Sequence, residues 1–433
     1  MSCDECGCKG FIEILKSEVV PALGCTEPIA VALAAAKAKE ALNSYPELIK
    51  VFVSDNILKN GMGVGIPGTG MTGLDIAAAL GAIGGNPNVE LEVLKDITKQ
   101  NIEDAKDMLK GGKVSVNTKA VPNKLYIEVQ CVSGKNISKA IIKDKHNNLV
   151  LVQLNEEILF QVEDEEEAEV SIDKDKNKEH CIKLSVEDIY DFAINSPLED
   201  IEFILEGAKM NRKIAEEGLK GYGLNVGKTI TDNIKKGVLS DDIQNYAMAL
   251  TAAASDARMA GCMYPVMSNS GSGNQGLTVM LPVVAVAEKL NVSSEKLARA
   301  LVLSNLVAIH IKTYLGRLSA LCGCVVASAG ASCGITYLLG GQLKEINYSI
   351  KNMVGNISGM ICDGAKTGCA LKVSTGVSAA VQSSLLAMNN IVISEKEGII
   401  EKDVEKTIRN IAQIGREGML QTDKLILNIM THK

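Results

Sequence analysis

Apolar positions along the chain change period twice. Phe11, Ile12, Ile14, Leu15 and Val19 share one helical face, which predicts an amphipathic helix over 11–20. Pro21 and Gly24 end it. Thr26 then stands as an N-cap, with Glu27 and Pro28 in the first turn of an Ala-rich helix over 29–42. Residues 48–53 predict a strand and 74–83 a helix. Near residue 90 the period shortens. Residues 89–94, 113–117, 125–132, 138–143 and 149–154 predict strands, with a helix over 102–110. Ser133-Gly134 and Asn147-Asn148 supply hairpin turns. The charge-dense run 163–179 predicts a solvated loop or frayed hairpin.

From Ser185 the period is helical again. Val186, Glu187 and Asp188 open one helix. Further helices are expected over 198–218, 240–263, 277–290, 294–312, 318–339 and 345–361, after Ser374, and twice more before the end. The expected fold class is α+β, a large, mostly helical body with a smaller antiparallel-sheet α/β domain inserted. Residues 1–90 are expected to form a segment joined to the helical body, 91–185 the smaller domain, and 186–433 the helical domain.

Composition narrows the function. Of 433 residues 46% are hydrophobic, enough for a large core and two or three domains. The net charge is −7 and no basic block is interleaved with aromatics, which argues against nucleic acid as a partner. The chain opens Met1-Ser2-Cys3-Asp4, without the basic segment and apolar run of a signal peptide, so a cytoplasmic location is expected. In that reducing setting its 12 cysteines are more often buried, metal-bound or catalytic than paired. Residues 318–340 carry no charge, but their Gly, Ser and Cys content predicts a buried helix and no membrane span.

Candidate chemistry gathers on cysteines. Cys362 and Cys369 stand seven apart beside Asp363, Lys366, Thr367 and Lys372, and Cys322 lies forty residues upstream. Cys25 precedes a helix start, where the dipole favours a thiolate. The spacing 322, 362, 369 lacks the short CxxC of a zinc site. It leaves two readings open, namely unrelated core cysteines or three thiolates holding a [4Fe–4S] cluster with one open, Lewis-acidic iron. Cys131, Cys181, Cys262, Cys324 and Cys333 are expected to pack. Cys3, Cys6 and Cys8 are expected in a mobile terminus. The loop Ser268, Asn269, Ser270, Gly271, Ser272, Gly273, Asn274 precedes a helix and offers amides and hydroxyls to a carboxylate or phosphate. A plain helix-breaking loop is the alternative. Arg317, Lys366 and Lys372 are cations near the cysteines, suited to a carboxylate or to ordinary surface pairs. Gly63, Gly65 and Gly68 spell GxGxxG, but Pro67 interrupts it and no βαβ unit surrounds it, which excludes a dinucleotide site.

Five motifs in order resemble the L-cysteine desulfidase family, which is related to the alpha chain of bacterial iron–sulfur L-serine dehydratases. They are Leu23-Gly24-Cys25-Thr26-Glu27-Pro28, Gly65-Ile66-Pro67-Gly68-Thr69-Gly70, Asn269-Ser270-Gly271-Ser272-Gly273-Asn274-Gln275-Gly276, Leu318-Ser319-Ala320-Leu321-Cys322, and Cys362-Asp363-Gly364-Ala365 with Cys369-Ala370-Leu371-Lys372. The resemblance covers nearly the whole chain. It implies an oxygen-sensitive [4Fe–4S] enzyme in which Cys322, Cys362 and Cys369 bind the cluster, one iron has no protein ligand, and Cys25 is the base. Asp363 and Thr367 are then expected to tune the cluster by hydrogen bonds. The residues from Ser268 to Asn274, with Lys372 or Arg317, are expected to hold the carboxylate of L-cysteine. The implied reaction releases hydrogen sulfide and gives pyruvate and ammonia, with L-serine dehydration as the close alternative. Some serine dehydratases end in a cysteine that caps the fourth iron, whereas this sequence ends Met430-Thr431-His432-Lys433. Two other classes are a pyridoxal phosphate lyase, for which no lysine stands out, and a non-catalytic iron–sulfur or sulfide carrier. A homodimer is expected from the apolar helical half.

Overall fold

The structure, a computed structural model, describes residues 5–162, 184–316 and 318–432. The charged run 163–179, Cys3, Cys181 and Arg317 therefore lie outside the described residues. The backbone of Cys6 and Cys8 falls inside the first helix, α1 (Glu5–Glu18), where a mobile terminus was expected.

The N-terminal half continues with β1 (Pro21–Ala22), α2 (Thr26–Leu42), β2 (Leu48–Val53), α3 (Asp55–Gly61) and α4 (Leu74–Gly84). Next come α5 (Lys99–Lys110), β3 (Val114–Thr118), β4 (Tyr126–Ser133), β5 (Asn136–Lys143), β6 (Leu149–Leu154) and β7 (Glu157–Gln161). Six strands form one sheet in the order β3-β2-β4-β5-β6-β7. All neighbours are antiparallel except β2 and β3. The helices between those two strands make the crossover that a parallel pair needs. Period-2 alternation turns Ile49, Val51 and Val53 of β2 inward. Residues 89–94 are not a strand. Pro87 opens a 3₁₀ turn over Pro87–Glu92, in which Glu90 takes a left-handed φ of 45°.

The N-terminal elements divide between two cores. Val31, Leu33, Ile76 and Leu80 share one core with Ile127, Val129, Ala140 and Ile142 of the sheet. Of the first 90 residues, α1 is the part that enters the helical core, through Phe11 and Leu15. Helix α2 is buried along most of its length, with Lys39 and Glu40 exposed near its end. A helix of that kind does not declare which neighbour it will cover.

The helical half comprises α6 (Val186–Asn195), α7 (Leu198–Ile201), α8 (Ile204–Gly218), α9 (Val226–Lys235), α10 (Ile243–Met259) and the short β8 (Val266–Met267), which pairs with β1. Then follow α11 (Gly273–Leu290), α12 (Ser294–Leu315), α13 (Gly323–Leu338), α14 (Leu343–Ile357), α15 (Cys369–Met388), α16 (Val404–Gln413) and α17 (Leu420–Thr431). Helix α13 is central and packs against α11, α12, α14 and α15. Its small residues allow this. A Cβ on Gly330 would stand 2.3 Å from the Ser304 carbonyl oxygen. Among the described residues no helix is long and apolar enough to cross a membrane.

Candidate active site

Four helices begin at one cavity of about 120 Å³. Cys25 is the N-cap of α2 and Cys322 the N-cap of α13. Cys369 opens α15, and Ser272 caps α11 through its side chain. Cys25, not Thr26, takes the first cap, with φ −88° and ψ 137°. Each helix start presents unpaired N–H groups and the positive end of its dipole, so the cavity favours anions. A larger cavity of about 450 Å³ shares Gly271 and His146 with it.

Backbone pairing sets two of the thiols side by side. Leu321 and Ile361 form an isolated antiparallel bridge. Around it Cys322 N–H donates to the Met360 carbonyl at 3.0 Å, and Cys362 N–H donates to that of Ala320 at 2.7 Å. Cys362 holds the more acidic thiol of the pair, because it accepts a hydrogen bond from Cys322 and lies near Lys59 and Lys372. Cys322 is pushed up by the same bond and by burial. Cys369 is also raised by burial. The chain turns between Cys362 and Cys369 at Gly364, where φ is +89° and a Cβ would stand 2.3 Å from the Lys59 carbonyl oxygen. Glycine is the residue that this turn admits.

Lysines hold this loop from both sides. Buried Lys59 of α3 pairs with Asp423 of α17 and lies 3.5 Å from the Cys362 carbonyl oxygen. Asp363 accepts from Lys366 and Lys372. Burial works against its carboxylate, yet the two lysines hold it down at about 2. Lys372 Nζ also donates to the Ile361 carbonyl at 2.6 Å. Its ammonium is thus committed to the loop, although the residue lines the cavity. Thr367 sits in the turn before α15, its carbonyl accepting from Ala370 N–H at 3.3 Å, and is not among the cavity's lining residues.

Cys25 packs with Val64, Met259, Ala365 and Cys369. Its thiol is pushed up to about 12 by burial, with Arg258 pulling it down and Glu27 and Cys369 pushing it up. Burial thus opposes the thiolate that the helix dipole favours at this position. Glu27 accepts from Thr26 Oγ1 at 3.2 Å and Asn60 Nδ2 at 3.1 Å, and lies 4.0 Å from His146 Nε2.

The loop before α11 divides in two. Ser268 Oγ donates to the Val20 carbonyl at 2.6 Å. Asn269 donates to Asn305 Oδ1 at 2.9 Å and accepts from Gln275 and Ser270. Those two residues build the loop. Ser270, Gly271, Ser272 and Asn274 line the cavity. Gly273 lies against Arg258, where a Cβ would be 2.3 Å from the guanidinium Nε.

The sequence profile of the family described as serine dehydratase alpha chain matches residues 88–428. The chain belongs to the serine dehydratase alpha chain family. Members of this family are typically iron–sulfur lyases. The chain is 50% identical over 430 residues to a UPF0597 protein of Bacteroides fragilis, covering 98% of both. It is 50% identical over 424 residues to a UPF0597 protein of Oleidesulfovibrio alaskensis, again covering 98% of both. A UPF0597 protein of Aeromonas hydrophila is 49% identical over 423 residues, covering 98% of this chain and 96% of that protein. The serine dehydratase alpha chain match contains Cys322, Cys362 and Cys369, whereas Cys25 lies before it.

Among the described residues no group of three His, Cys, Asp or Glu side chains is spaced to hold a single metal ion. The three thiols nevertheless fit an iron–sulfur group of this family in their chemistry. They line one cavity, thiolate is the ligating form, and lysines and helix starts surround them. Gln275, which belongs to the third motif, lines the site, and Arg258, Asn60 and His146 line it and were missed. Of these three, Arg258 left a signal, a cation at the end of the small-residue run Ala252-Ala253-Ala254-Ser255-Asp256-Ala257.

Proposed function

We propose that this serine dehydratase-like protein is an L-cysteine desulfidase, which eliminates hydrogen sulfide from L-cysteine and leaves aminoacrylate. The aminoacrylate tautomerises and takes up water to give pyruvate and ammonia. The observation that carries the reading is the meeting of Cys25 with Cys322, Cys362 and Cys369 on one cavity, with Cys25, Cys322 and Cys369 at helix starts and Cys362 on the loop between them. A [4Fe–4S] cluster held by the last three, with one iron free of protein ligands, would supply a Lewis acid for the departing sulfur.

The chain's own residues supply the rest. Cys25 takes the α-hydrogen as a proton while the electron pair of the Cα–H bond expels sulfur from Cβ. Cys25 must first lose its own proton, which burial opposes and Arg258 favours. A thiol with so high a pKa is a strong base once ionised, as a weakly acidic Cα–H requires. Asp363 anchors Lys366 and Lys372 around the ligand loop, orienting the thiols that precede and follow it. The α11 start, with Ser270, Ser272 and Asn274, receives the substrate's carboxylate end. The larger cavity behind Gly271 gives the amino acid its approach.

Serine dehydration is the second reading, and the family match favours it. Hydroxide leaves poorly unless it is protonated. Cys324 and Val373 pack with Cys322, and Ala365 with Cys369, an apolar setting that suits a sulfur leaving group better. Anaerobic purification with iron and sulfide analysis, beside pyruvate release from L-cysteine and L-serine, tests both readings. Pyruvate from cysteine with hydrogen sulfide in equal amount is expected. Turnover of serine alone would overturn the desulfidase assignment.

A further inference from the structure

Arg258 is a buried cation without an acid. It ends α10 at 4% exposure and lines the cavity. Among the described residues no carboxylate forms an ion pair with it. Its guanidinium donates to Asn274 Oδ1 at 3.1 Å and to the Met259 thioether at 3.6 Å, and its Nε has no partner. Burying a charge in that way is costly unless something anionic completes the site. The chain leaves room for this cation at a specific place. Position 273 is glycine, and any side chain there would collide with the guanidinium.

Among the described residues, the other cations named for a carboxylate do not compete. Lys372 is paired with Asp363 and donates to a backbone carbonyl. Lys366 is paired with the same carboxylate. Among the cations of the described residues, Arg258 alone combines burial, an N–H without a partner and a wall of the cavity, beside the N-terminus of α11.

Resting on the desulfidase reading, we infer that Arg258 receives the α-carboxylate of the amino-acid substrate, assisted by the amides at the start of α11, and thereby selects for substrates with a free carboxylate. A planar guanidinium beside free N–H groups matches a carboxylate in charge and geometry. The position also orders the rest of the substrate. Met259 Sδ accepts from Arg258, from Asn274 at 3.2 Å and from Cys25 at 3.7 Å. One thioether therefore separates the carboxylate pocket from the candidate base. A carboxylate at Arg258 leaves its adjoining α-carbon next to Cys25 and points the β-substituent at Cys322, Cys362 and Cys369.

The test compares two thiols that differ by a carboxylate, 3-mercaptopropionate and 2-mercaptoethanol, by calorimetric binding to the anaerobic, iron-replete protein. Pyruvate kinetics on L-cysteine run beside it. Arg258→Gln is expected to weaken 3-mercaptopropionate and raise KM for cysteine about 100-fold, the usual worth of a charge-assisted pair. It should shift 2-mercaptoethanol less than threefold, and Arg258→Lys should recover part of the loss. Equal weakening of both thiols, or of neither, overturns the inference even where pyruvate is still made. If wild type makes no pyruvate but 3-mercaptopropionate still binds through Arg258, the desulfidase reading fails and the carboxylate site stands. Should Arg258→Gln lose its iron, Gly273→Ala replaces it, since the added methyl displaces the guanidinium without removing its charge. The same selective loss is then required.

Discussion

The thiol of Cys25 donates to the thioether of Met259 across 3.7 Å, so an uncharged sulfur aims the candidate base. Cys25→Ser is expected to keep its iron and its visible absorption, because the three other thiols remain. Turnover should fall by about 10²–10⁴, the range for a positioned general base. Exchange of the substrate α-hydrogen with deuterated solvent, followed by NMR, should vanish with it. Loss of iron in this variant would make Cys25 a ligand instead.

Alanine at Cys322, Cys362 or Cys369 should each remove most of the iron and the activity together. Cys333 is the control. It is buried in α13 with its thiol on the Ala329 carbonyl at 3.3 Å, away from the cavity. Cys333→Ala should retain iron at the wild-type level, measured by metal analysis after anaerobic purification.

The pair Lys59–Asp423 ties α3 to α17 with side chains 2% and 14% exposed. Removing one partner strands a buried charge, so Asp423→Leu should cost about 3 kcal/mol in urea unfolding. The double variant Lys59→Met with Asp423→Leu should recover most of that. If the single and double variants unfold alike, the pair is not what holds α17.

Asp256 sits in α10 and accepts from the Gly227 amide at 3.1 Å, and burial pushes it up to about 6 from 3.8. The folded chain thus binds this proton more tightly than the unfolded chain. Its contribution to stability is complete below about pH 4 and is lost as pH rises through 6. Asp256→Asn cannot ionise. The stability of the variant relative to wild type should therefore rise between pH 4 and pH 7, read from urea midpoints. A difference that stays flat over that window would refute the assignment.

The sequence was legible where one physical signal decided the outcome. Period and caps gave α5, α6, β4, β5 and α12 within a few residues. The five motifs pointed to Cys25, Cys322, Cys362 and Cys369, which do line one cavity. Four things were hidden. Pro87 turned an apolar run into a 3₁₀ segment. The Ala-rich α2 carried no mark of which core it would join. Arg258 gained its meaning only from Gly273 and the cavity beside it, contacts made across 15 residues of sequence. Burial, which no spacing reveals, opposes a thiolate at Cys25.

Helix α2, which Cys25 caps, shares its core with the sheet, whereas α13 belongs to the helical core and α15 packs on it. Cys25 itself, however, packs against Met259 and Cys369 of the helical half. On the proposed reading the base is thus borrowed from one core and seated in the other, and a substitution at the Cys25–Met259 contact would be felt at the reacting carbon without touching a ligand.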